Sequence, residues 1–196
     1  MNFARLQRAD VAALLLAFAL LFVMAMDWYS TVTAEEGRRQ QENADPKGRA
    51  LGGEIPRAID EAGRIAGESG ERNAWQPFEA IDSAILVLLL GAYALTVLSA
   101  FLRAAGRRPE PPFTPAALGS ALAGVGALLI AYRIWQEPGI DAFTTVKPAA
   151  PIAILVLGGL SLALATAYRG EETGSAWKRM ELVDAQATEP PAASTT

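Results

Sequence analysis

Apolar residues in this chain are gathered into four blocks, at about 9–29, 79–102, 113–135 and 149–168, with polar stretches between them. Within each block they run on without the alternation of a half-buried strand or the spaced stripe of a surface helix. Each block is close to the ~20 residues that an α-helix needs to cross ~30 Å of hydrocarbon. The pattern predicts an all-α integral membrane four-helix bundle. It leaves residues 1–8, 103–112 and 169–196 on one side of the membrane, and 30–78 and 136–148 on the other.

The first block has to be separated from a secretory leader. Its apolar run from Val11 to Met26 is longer than the 7–15 residues of a leader core, and "MDWYS" stands between it and the cleavage-like Val32–Ala34 pattern. It is therefore expected to stay as an anchor. The large first loop divides in two. Residues 30–53 are polar, glycine-bearing and aperiodic. In about 55–67, Ile55, Ile59, Ala62, Ile65 and Ala66 share a stripe, Pro56 suits a first helical turn, and Arg57/Glu61 and Asp60/Arg64 are spaced i,i+4. A short amphipathic helix is expected there. The Ala/Pro/Thr-rich residues from Asp184 onward make the tail largely disordered by composition.

Charge sets the threading. The 103–112 connection carries Arg103, Arg107 and Arg108, whereas 136–148 carries only Lys147. The positive-inside rule puts the former in the cytoplasm, with both termini, in a cell (plasma/inner) membrane. Trp28, Tyr29, Trp75, Tyr132 and Trp135 then form an outer aromatic belt, and Tyr93 is left within the membrane.

One charge demands a structural account. "AYRIWQEPG" ends the third block with Arg133, which shares a helix line with Gly126 and Gly119 at seven-residue steps. Small residues mark close helix contact. Arg133 is therefore expected to face the bundle interior near its outer rim, where Asp82, Glu79 and Asp27 are the candidate partners. This ionic cluster reads either as a clasp that fixes packing or as a binding site at the outer mouth. Ser120 with Gly124, and Gly158 with Ser161, are further small-residue contacts between helices.

Composition narrows the chemistry. The chain has no cysteine and no histidine, which removes disulfides, thiolate and imidazole catalysis and ordinary zinc sites, and no cofactor or metal is expected. A net charge of −4 gives no nucleic-acid footprint. The middle of each block lacks ionisable side chains, offering only Tyr93, Thr96, Ser99, Ser120, Ser161 and Thr166, which disfavours an ion-coupled transporter. The expected partners are the lipid bilayer and a membrane protein or a second copy. The expected role is non-catalytic, structural or interactive, in the bacterial cell envelope. An oligomeric channel or transporter subunit, or an enzyme or ligand sensor built on the outer cluster, are the alternatives.

"FALLFVMAMDWYS", "AWQPFEAIDSAILVL" and "AYRIWQEPG", in that order, resemble a group of uncharacterised actinobacterial four-span membrane proteins. The matching residues are Trp28, Tyr29, Trp75, Phe78, Asp82, Tyr132, Arg133, Pro138 and Gly139. The chain departs from the group in having Asp27 where a proline is usual. The resemblance implies the four-span layout and carries no activity. Claudin-like proteins share that layout alone, since their paired-cysteine signature is absent.

Overall fold

A computed structural model describes residues 2–31, 71–76, 80–109, 112–136 and 144–188. The expected helix at 55–67, Glu79, Phe78, Pro138 and Gly139 lie outside them. The helices are α1 (Arg8–Ala25), α2 (Ala80–Ala104), α3 (Pro115–Gln136), α4 (Ala149–Glu172) and α5 (Ser175–Thr188). The short strands are β1 (Asp27–Thr31), β2 (Glu71–Asn73) and β3 (Thr144–Val146). Helices α1 to α4 are long and apolar enough to cross a membrane. The protein is a multi-pass four-helix membrane bundle. Neighbours around it run α1, α4, α3, α2, and the closing α2–α1 contact is the sparsest.

Each span turns one seven-residue line inward. The lines are Asp10, Ala17 and Met24 on α1; Leu89, Thr96 and Arg103 on α2; Gly119, Gly126 and Arg133 on α3; and Ala150, Leu157, Leu164 and Glu171 on α4. All of these residues are buried. A seven-residue repeat keeps a helix facing its neighbours at the shallow crossing of left-handed bundles. The opposite faces carry exposed Leu15, Phe22, Val87, Leu128, Leu155 and Leu162, as lipid contact requires.

Close approach is greatest around α3. A β-carbon on Gly119 would stand 3.1 Å from Leu164 Cδ1 and 3.3 Å from Leu95 Cβ, so this glycine lets α3 sit between α2 and α4. Ser120 and Ser161 stitch α3 to α4 reciprocally. Each hydroxyl donates to the other residue's carbonyl at 2.9 Å, so neither leaves a polar group in hydrocarbon. Gly124 packs beside Ser161. Gly158 does not join this contact: it is exposed with nothing within 4 Å of its β-position, because Leu157 and Leu160 already occupy the inward arc of α4. Its neighbour Gly159 is the one in helix contact, against Leu16 of α1.

The first span ends earlier than its apolar run. Helix α1 stops at Ala25, and Asp27–Thr31, rich in aromatic and β-favouring side chains, forms the centre of an antiparallel sheet ordered β2-β1-β3. Tyr29 pairs with Arg72 on one side and Val146 on the other. Because β2 leads into α2 and β3 into α4, the sheet joins the ends of three spans. The chain beyond the last span also departs from expectation. Gly174, at φ +71°, ends α4 in the left-handed region, and Ser175–Thr188 then forms α5 instead of unstructured tail. Ala176 and Met180 of α5 pack under the bundle, and Arg5 Nη2 bonds Asp184 Oδ1 at 2.7 Å, bringing the first and last described segments together.

Substituting Gly119 with leucine is expected to lower stability by about 1–3 kcal/mol through overpacking against α2 and α4. The same change at Gly158 is expected to have little effect. Thermal unfolding of both variants in one detergent checks the contrast, and equal losses would contradict the packing described here.

Candidate functional site

The buried charges of the described residues lie in two nodes, one at each end of the bundle. At the sheet end, Arg133 sits in the last turn of α3 with its residue 1% exposed. Its Nε donates to Asp82 Oδ1 at 2.9 Å and its Nη2 to Oδ2 at 3.3 Å, a two-point fork between α3 and the first turn of α2. The Asp82 side chain keeps 18% of its surface exposed, so its carboxylate is partly hydrated.

Asp27 does not enter this node. It is exposed and makes no ion pair among the described residues. The cause is local. The β1–β2 register slips between Asp27 and Tyr29, making Trp28 the extra residue; such a bulge re-aims its side chain. Trp28 turns under the sheet, 3% exposed, and donates from Nε1 to Val23 O at 2.8 Å. Asp27 is thereby pointed the other way. Trp28 is for the same reason a core residue and not part of an aromatic belt. Trp75, Tyr132 and Trp135 are exposed at the sheet end, the last two rings 6.3 Å apart.

Tyr29 brings a third polar group to this end. Burial pushes its phenol up to about 12, the Asp82 carboxylate acts in the same direction, and the Arg133 guanidinium opposes both. The neutral phenol is therefore the form that suits the fold.

At the opposite end, the base, Arg103 ends the inward line of α2 at 1% exposure. Its Nη1 donates to Asp10 Oδ1 and Oδ2 at 2.6 and 2.8 Å. Its Nε and Nη2 reach Glu171 Oε1 at 3.3 and 2.7 Å, and Nη2 also donates to Ala167 O at 2.9 Å. Every nitrogen of the guanidinium thus donates to a buried acceptor. Asp10 Oδ2 also accepts from the Gln7 backbone N–H at 2.8 Å, closing the first turn of α1. One side chain therefore joins α1, α2 and α4. Two carboxylates face one guanidinium, and Glu171 Oε2 and Ser99 Oγ are buried without a hydrogen-bond partner.

Arg103 was expected in the 103–112 loop, while Asp10, inside the 9–29 block, and Glu171, inside the 169–196 tail, were not singled out. The signal was available in the seven-residue step that marks Arg133: Arg103 lies one such step beyond Thr96 and two beyond Leu89. Chemically, both nodes are clamps. Among the described residues no group of three metal-ligating side chains occurs.

Arg103→Ala leaves two buried carboxylates without their counter-charge and is expected to cost about 3–5 kcal/mol. Arg133→Ala, whose partner stays partly hydrated, is expected to cost less, about 1–3 kcal/mol, and adding Asp82→Ala is expected to recover part of that loss. Unfolding free energies from a double-mutant cycle in detergent read both effects; no recovery would separate Arg133 from Asp82 energetically.

Tyr29 gives a pH test. Its folded value lies above the ordinary 10.0, so its contribution is complete below about pH 10 and is lost as pH rises towards about 12. Tyr29→Phe is expected to flatten the fall in unfolding temperature across that window, and an unchanged slope would contradict the assignment.

No protein-family model matches the chain, and no curated protein or solved structure matches it significantly.

Proposed function

We propose that this is a non-catalytic protein of the cell membrane, with both termini cytoplasmic, that works by assembling with a membrane-protein partner or with copies of itself. On this reading it is a member of the actinobacterial four-span group. The observation that carries the proposal is the use made of the buried charges. Asp10, Arg103 and Glu171 are committed to one clamp and Asp82 and Arg133 to the other. Four polar groups deeper in the spans serve the helices as well, Ser99 Oγ being an exception: Thr96 and Thr166 donate to carbonyls one turn back, and Ser120 and Ser161 to each other's helix. Side chains spent in this way favour a rigid body whose outer surface does the work.

Two measurements on the full chain test the reading. Cross-linking in intact membranes is expected to trap a species of discrete higher mass containing this protein. Reconstituted vesicles are expected to show ion and solute flux no greater than protein-free vesicles. A monomer only, or steady flux from a defined oligomer, would overturn the proposal.

A further inference from the structure

Arg8 opens α1 and Arg169 lies in the last turn of α4; both are exposed, and neither makes an ion pair with a described residue. They flank a single contact. Gln7, just before Arg8, lies against Gly170, just after Arg169, so closely that a β-carbon on Gly170 would stand 2.9 Å from Gln7 Oε1. The backbone positions of Arg8 and Arg169 are therefore brought to one helix junction.

The carboxylates that would ordinarily balance them are engaged elsewhere. Asp10 and Glu171, each two residues from its arginine, are turned inward onto Arg103. Glu172, three residues beyond Arg169, is exposed but forms no ion pair with it. The same end of the molecule also presents Arg107, Lys178 and Arg179, all exposed and without ion pairs among the described residues.

Depth identifies the ligand. Arg8 and Arg169 stand at the ends of membrane-spanning helices, where hydrocarbon gives way to headgroups and long basic side chains reach the interface. Phe3 and Phe113, 71% and 78% exposed, lie at this same end, apolar rings better matched to lipid than to water. An exposed cation at this level meets lipid headgroups before any soluble partner. We infer that the α1–α4 junction at the base is a binding site for an anionic phospholipid, its headgroup phosphate held between Arg8 and Arg169.

The test uses the full chain in bilayers of phosphatidylcholine, with spin-labelled phosphatidylglycerol or spin-labelled phosphatidylcholine as probe. The immobilised fraction at the protein surface is expected to favour phosphatidylglycerol. Arg8→Gln and Arg169→Gln are each expected to weaken that preference about fivefold. Arg8→Lys is expected to retain most of it, which separates loss of charge from disturbed packing. Equal immobilisation of the two lipids by the unmodified protein, or a preference unchanged in the double glutamine variant, would overturn the proposal. So would stabilisation of the detergent-solubilised protein by inorganic phosphate equal to that by phosphatidylglycerol, since the site would then belong to a soluble anion.

Discussion

A guanidinium sealed from water has to find acceptors inside the protein, and Arg103 finds one for each nitrogen on two other spans. Its partners lie on α1 and on α4, and α4 stands diagonally across the bundle from α2. Backbones of diagonal helices stay apart in such a bundle, so the connection requires a long side chain reaching across the end. Charge desolvation makes the arrangement demanding: each ion costs several kcal/mol to bury and is compensated only by close, well-directed partners. The geometry of α1, α2 and α4 at the base is consequently coupled through one residue. A shift of any of the three strips hydrogen bonds from a charge that has no water to turn to.

The sheet does the same at the other end by different means. Strand β1 follows α1 and pairs with the segments entering α2 and α4, so the same three helices are joined by backbone hydrogen bonds. Helix α3 lies outside both devices and is held separately, by the Arg133–Asp82 fork to α2 and the Ser120–Ser161 exchange with α4. The two ends also differ in exposure. Asp82 retains contact with water whereas Asp10 and Glu171 have almost none, so the base clamp is the more exacting of the two.

The spans were legible because hydrocarbon thickness imposes a length on any apolar helix, and the inward turn of Arg133 was legible from Gly126 and Gly119 in phase with it. Asp82 was one of three carboxylates expected at that depth, with Glu79 and Asp27, and only assembly of α2 against α3 selects it over Asp27. The β1 strand was not legible, since "MDWYS" continues an apolar run and only pairing with residues far along the chain makes it a strand. Asp27 went astray with it: a helix end at that position would face it towards Arg133, but a bulge at Trp28 reverses the facing. The base clamp was hidden for another reason. Charges at the ends of spans are ordinarily read for topology, and three charges from distant parts of the chain become a site only when the helices are assembled. Helix α5 does carry an apolar stripe, Ala176, Met180 and Val183, but it is short and set in a polar segment whose composition reads as tail, and burial of Ala176 and Met180 is what singles it out.

The sparse α1–α2 seam shows why polar clamps occupy the positions they do. Along its length the two helices meet through contacts such as the edge-to-face pair of Phe18 and Tyr93, ring centres 6.3 Å apart, with Phe18 largely exposed. Lipid tails solvate such side chains as well as a neighbouring helix does, so apolar contact alone gives little drive to close the seam. A directional interaction at each end supplies what packing cannot. Arg103 with Asp10 closes it at the base, and the β1–β2 pairing closes it at the sheet. The ends of the spans are also where the cost of carrying charge and strand backbone is smallest, because water and headgroups are within reach during assembly. Polar groups are thus concentrated where the membrane tolerates them and where the bundle most needs them.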